Sequence, residues 1–157
     1  AVDAYVADAW AHQQQLWEAR KCLFDAYKAF WEIDEVDISV PRSRIPDYIE
    51  GAEAVAERRG VLISNIGHAG DGNVHSIITR GDLDDDGWRE TLKAVIGELI
   101  QVGLSLGGTI SGEHGVGLTK KGYLSKRVGE TQVELMRAIK RAFDTRNILN
   151  PGKVFDL

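Results

Sequence analysis

The fold is decided by the nineteen residues VLISNIGHAGDGNVHSIIT, from Val61 to Thr79. An apolar run, Val61 to Ile66, reads as a buried strand; three glycines and an aspartate punctuate the middle; a second β-type run, Val74 to Thr79, reads as its antiparallel partner. Strand-turn-strand excludes a dinucleotide fingerprint, which needs strand-turn-helix. It also brings His68 and His75 to the same end of one hairpin. Asp71, between glycines, is expected to bond within the turn, and Asn73 is open to either a structural or a site role.

Working outward, the segment before the hairpin predicts three elements. Val2 to about Phe30 lacks proline and glycine and spaces its apolar residues for one long helix, or two joined near His12. Trp31 to Val40 alternates Ile33, Val36, Ile38 and Val40 with acids, the pattern of a half-buried strand ended by Pro41. A helix then begins near Ile45-Pro46, with Ser43 as its expected cap and Gly60 as its stop.

After the hairpin, the acidic loop Gly81 to Gly87 lacks the later glutamate of a calcium loop and reads as a connection with a helix cap. Trp88 to about Leu106 forms the next amphipathic helix, followed by the glycine-rich Gly107 to Gly117, a short helix from Thr119 to Val128, a longer one from Gln132 to Phe143, and a turn-rich end at Asn147 to Lys153. Helices alternating with about three strands predict an α+β fold, a mostly antiparallel sheet with helices packed on one face.

Composition narrows function. The 157 residues suit one domain with a real core. A net charge of −5 argues against nucleic acid as a partner. Cys22, the single cysteine, cannot form an internal disulfide, which favours a reducing, cytoplasmic location; its apolar neighbours suggest a buried structural thiol. No run is long enough to span a bilayer, and no secretory signal is seen. A start at Ala1 rather than methionine fits a piece of a longer protein.

Chemistry is concentrated at His68, His75 and the Glu113-His114 pair between Gly112 and Gly115. If the two stretches meet, His68, His75 and Glu113 make a two-histidine, one-carboxylate set suited to Zn²⁺, Mn²⁺ or Fe²⁺, with His114 left as a proton acceptor. The competing reading is an ordinary polar loop. A phosphate cradle at Gly107 to Gly117 lacks the lysine signature of a nucleotide loop. Arg20, three residues after Trp17, reads by itself as a surface cation.

Four stretches together carry a resemblance: DISVPRSRIP (Asp37 to Pro46), GHAGDGNVH (Gly67 to His75), SGEHGVG (Ser111 to Gly117) and NILNPGKVF (Asn147 to Phe155). In this order and spacing the chain resembles the C-terminal part of FAD-linked oxidases of the vanillyl-alcohol oxidase superfamily, in the branch of FAD-linked D-lactate dehydrogenase and the glycolate oxidase flavin subunit. The resemblance implies a ferredoxin-like substrate and metal-binding domain over residues 1–157, partnered by an upstream FAD-binding domain absent from this chain. It implies FAD and a divalent metal as cofactors, His68, His75 and Glu113 as metal ligands, His114 as the catalytic base, Arg20 as a contact to the substrate carboxylate, and Asn150 near the flavin. The implied reaction is oxidation of a 2-hydroxy acid to a 2-oxo acid by hydride transfer to flavin, with an unidentified electron acceptor; a homodimer and peripheral attachment to a membrane are compatible with it.

Relatives acting on hydroxyglutarate carry a basic residue just before the strand at Val36 to Val40, where this chain has Asp34 and Glu35. Acids there disfavour a second carboxylate and point to a monocarboxylate such as lactate or glycolate. The alternatives are a stand-alone metal-binding or small-ligand module without redox activity, and a metal-dependent hydrolase with His114 as base.

Overall fold

The structure, a computed structural model, describes residues 6–157. Two compact units are present, residues 1–33 and 34–157. The first contains helix α1, Trp10–Phe30, which runs through His12 without a break; Val2 lies outside the described residues. Its first turn starts at Trp10, and Ala9 before it supplies no side-chain cap. Taken by itself α1 has no core, and Cys22 is exposed, which corrects the expectation of a buried thiol. A lone helix buries a side chain only against another element.

The second unit is built on β1 (Ile33–Ser39), α2 (Ile45–Arg59), β2 (Leu62–His68), β3 (Asn73–Thr79) and α3 (Asp85–Ser105), followed by α4 (Leu124–Val128) and α5 (Glu130–Phe143). Its three-stranded antiparallel sheet has the order β1-β3-β2. Beside β1, Thr109 N–H donates to the Ser39 carbonyl at 2.7 Å in an isolated antiparallel bridge. The β-α-β-β-α order, with a fourth strand reduced to that bridge, is the ferredoxin-like arrangement.

Register sorts the strands into two faces. Ile66 pairs with His75 and His68 with Asn73, so these side chains share one face, while Val74, Ser76 and Ile78 point to the other. The helix face holds Val36, Ile38, Val74 and Ile78 against Tyr48, Ala52 and Val55 of α2 and Val95, Leu99 and Ile100 of α3. Burying side chains of this size contributes about 1.5–3 kcal/mol each. Close approach is set by small residues: a Cβ at Gly103 would sit 2.6 Å from Ile38 Cγ2, and one at Gly51 2.6 Å from Val102 Cγ1.

Three local expectations change. Ser43 does not cap α2; it lies in a 3-10 turn, Arg42–Arg44, and Pro46 occupies the first turn. β2 is a half-exposed edge strand, whereas β3, between two neighbours, is buried throughout. The acids of β1 do not all face water. Glu35 and Asp37 lie on the face opposite the helices, and Asp37 is fully buried there, because the loop from Ser111 to Lys120 folds over that face.

Candidate metal centre

Backbone holds the two histidines. His68 ends β2 and His75 sits in β3, joined by the turn Ala69 to Gly72, in which Asp71 Oδ1 accepts from Asn73 N–H at 3.4 Å, as its position between glycines suggests. The turn is seated on the end of β1: Val40 N–H donates to the Gly72 carbonyl at 3.0 Å, and Gly72 has φ 81° with room for no Cβ, which would lie 2.0 Å from the Val40 oxygen.

Glu113 and His114 are mounted differently, by a carboxylate. Asp37 accepts Ser111 Oγ–H at 2.8 Å and the backbone N–H groups of Gly112 at 2.6 Å, Glu113 at 3.1 Å and His114 at 2.8 Å. Ser111 Oγ in turn accepts Gly115 N–H at 2.8 Å. The buried Lys120 donates to the Asp37 carbonyl at 2.8 Å and lies 3.6 Å from its carboxylate. Burial by itself raises the Asp37 pKa; the N–H groups of His114 and Gly112, the Ser111 hydroxyl and the Lys120 charge outweigh it and hold the group at about 2, against an ordinary 3.8. Burial lowers the Lys120 pKa, opposed by Asp37.

The two arms meet. Glu113 Oε1 is 3.0 Å from His75 Nε2 and 3.5 Å from His68 Nε2, and His114 lies against His75 with ring centroids 5.1 Å apart. His68, His75 and Glu113 offer three ligand atoms within 4.8 Å of one another. Four-coordinate zinc, with ligands about 2.1 Å away, holds its donor atoms roughly 3.4 Å apart. The separations fit. So does the chemistry: His75 has the Glu35 carboxylate at 2.7 Å from Nδ1 and the Glu113 carboxylate at 3.0 Å from Nε2. A neutral imidazole carries one N–H, so with that proton on one side, a lone pair faces an anionic oxygen on the other unless a metal ion or a second ring proton lies between them.

Sequence reasoning missed Glu35 and Asp37, reading Glu35 only as a charge disfavouring dicarboxylates and Asp37 as solvent-facing. Period two places both, two residues apart, on one face of the strand, but nothing local shows that this face is covered. Asn73 is also drawn in, its Nδ2 3.5 Å from His75 Nε2, with its buried Oδ1 lacking a protein partner.

Arg20 and Asn150 are carried by other elements. Arg20 is on α1, in the first unit, with its guanidinium 5.6 Å from the centroid of the Trp17 ring. Asn150 occupies a terminal turn with φ 49°, lining a cavity of about 220 Å³ with Lys140, Val154 and Phe155. That segment is tied to the loop after the site, through Val154 N–H donating to the Gly117 carbonyl at 2.8 Å. A cavity of about 200 Å³ adjoins the cluster, walled by Glu35, His114, Val116 and Lys120. A larger one, about 540 Å³, lies between α3 and residues 119–126 and contains none of the cluster's histidines or glutamates.

Comparison with known proteins identifies the family. The family model for the C-terminal domain of FAD linked oxidases matches residues 1–154. The chain belongs to this family. Within it, the FAD-oxidase C-terminal domain described here is 41% identical over 155 residues to an uncharacterised FAD-linked oxidoreductase of Mycobacterium tuberculosis, covering 99% of this chain and 32% of that protein. It is 40% identical over 155 residues to a D-lactate dehydrogenase of Archaeoglobus fulgidus, covering 98% and 33%, and 41% identical over 119 residues to a glycolate oxidase subunit of Bacillus subtilis, covering 76% and 25%. The chain thus spans about a third of the length of the first two of these relatives. No helix among the described residues is long and apolar enough to cross a membrane.

Proposed function

We propose that this domain supplies the metal centre and proton acceptor of an FAD-dependent dehydrogenase that oxidises a small 2-hydroxy acid, of D-lactate or glycolate type, to the 2-oxo acid, with FAD bound mainly by an upstream domain. The observation that carries the reading is the convergence of His68, His75 and Glu113, with His114 alongside, in a chain of the FAD-linked oxidase family.

In this reading His68, His75 and Glu113 hold a divalent ion, Zn²⁺, Mn²⁺ or Fe²⁺. When bound, the metal and the flavin supply Lewis acidity at the substrate hydroxyl and a hydride acceptor. The chain's own residues do the rest. His114 accepts the hydroxyl proton; carboxylate oxygens of Glu35 and Asp37, 3.5 and 3.8 Å from its Nδ1, stabilise the positive charge that the ring then gains. Arg20 would receive the substrate carboxylate in bidentate fashion and Asn150 would face the flavin, roles taken from the family resemblance. Asp34 and Glu35, walling the small cavity beside His114, make a second carboxylate unwelcome.

The test is turnover by the full-length protein with D-lactate, glycolate and D-2-hydroxyglutarate, using an artificial electron acceptor. His114→Gln should keep the metal and lower kcat by about 10²- to 10⁴-fold. Unchanged kcat in that variant, or a preference for the dicarboxylate, rejects the corresponding assignment.

A further inference from the structure

One carboxylate oxygen of the site touches both of its working histidines. Glu35 Oε1 is 2.7 Å from His75 Nδ1 and 3.5 Å from His114 Nδ1, with the Glu35 side chain only 19% exposed. The other face of the His75 ring meets Glu113 at 3.0 Å and the amide nitrogen of Asn73 at 3.5 Å. An ionised carboxylate can only accept, and an amide nitrogen can only donate. Glu35 and Asn73 therefore assign the same tautomer, with the proton on Nδ1 and the lone pair on Nε2; Glu113 calls for the opposite one, but it is farther from the ring than Glu35 and its side chain is 51% exposed against 19%.

We propose that Glu35 is the positioning residue of the metal centre: by accepting the His75 Nδ1 proton it turns Nε2 toward Glu113 and His68 as a ligand, and through the same oxygen it orients His114, coupling the metal ligand to the base. This rests on the metal-centre reading above and adds to it a residue that acts through the metal ligand and is not one itself. A carboxylate behind a ligating imidazole fixes its orientation and raises its basicity, and loss of such a partner weakens metal binding by roughly 10- to 100-fold. β1 is well suited to hold it, because Glu35 and Asp37 are two residues apart on one strand face, so one element orients the hairpin histidine and anchors the loop that carries Glu113 and His114.

Glu35, His75 and His114 also offer three donor atoms within 4.8 Å, the makings of a second cation site. It competes with the first for His75, and the Nδ1 proton that Glu35 accepts would have to leave. The single-metal arrangement needs neither.

The test uses the full-length protein, Zn²⁺ and Mn²⁺, and the variants Glu35→Ala and Glu35→Gln. Chelator competition should show affinity falling roughly 10- to 100-fold in Glu35→Ala and falling less in Glu35→Gln, whose amide oxygen still accepts from Nδ1. Nitrogen-15 NMR of the metal-free protein should show His75 protonated at Nδ1, and that preference lost in Glu35→Ala. Unchanged affinity with an unchanged tautomer overturns the proposal; so does a stoichiometry of two metals per chain that drops to one in Glu35→Ala, since Glu35 would then be a ligand. If the unaltered protein takes up no metal, the metal-centre reading fails, while the tautomer measurement still decides whether Glu35 orients His75.

Discussion

The two arms of the site are held by opposite means. The hairpin arm, His68 and His75, is fixed by a continuous backbone ladder in which every residue from Leu62 to His68 has a partner in β3. The loop arm, Glu113 and His114, has no ladder at all; one buried carboxylate, Asp37, gathers three successive backbone N–H groups and a hydroxyl. A ladder spreads its stability over many bonds, so single side chains on it are replaceable. A carboxylate hub concentrates stability in one residue, so the loop fails as a unit when that residue changes.

The largest effect should therefore come from Asp37→Asn. It takes the nearest counter-charge from the buried Lys120 and replaces one of the two accepting oxygens with an NH₂ that faces loop donors, costing roughly 3–5 kcal/mol, on the order of 10 °C in Tm. Hydrogen exchange should accelerate at residues 112–114 first, with β2 and β3 still protected. Equal loss of protection in both arms would erase the distinction.

Gly112→Ala tests the same hub from the other side. A Cβ there would lie 2.6 Å from Asp37 Oδ1 and 2.6 Å from the Asn73 side-chain carbon Cγ, both fully enclosed. A cost of about 1–3 kcal/mol is expected, together with weaker metal binding; a variant as stable as the unaltered chain would mean that the loop has slack.

Acid should loosen the loop before the hairpin. The Asp37 pKa is lowered in the fold, to about 2 from 3.8, so its contribution is present above about pH 4 and is lost as pH falls toward 2. The difference corresponds to about 2 kcal/mol, and in Asp37→Asn that part of the acid dependence should vanish. A variant with the same stability profile between pH 4 and 2 would contradict it.

His68→Ala should have the smallest structural effect and a large functional one. The side chain is 43% exposed at the end of its strand, so stability should change by no more than about 0.5 kcal/mol, while metal retention is lost. A thermal melt beside a metal assay separates the two readouts.

This contrast also explains what could be read from the sequence. The hairpin was legible because period two and glycine punctuation are local signals, and they placed His68 and His75 together. The helices α2, α3 and α5 followed from apolar spacing to within a few residues. The meeting of the two arms was an expectation from residue chemistry and family resemblance. What made it happen, Asp37, was hidden by alternation itself: an acid between apolar residues reads as facing water, and nothing local announces that a loop more than seventy residues later will cover it. Glu35 was concealed for the same reason. The Ser43 cap failed because a 3-10 turn intervened, and the Cys22 expectation failed because α1 supplies no second element to bury it.

The central claim is that hairpin and loop together make one metal site. The most direct measurement is the metal content of the full-length protein after exposure to Zn²⁺ or Mn²⁺ and removal of excess, compared with His75→Ala from one arm and Glu113→Ala from the other. One metal per chain in the unaltered protein, and close to none in either variant, is the predicted result. A full complement of metal in the Glu113→Ala protein would show that the hairpin binds without the loop, and would contradict the account.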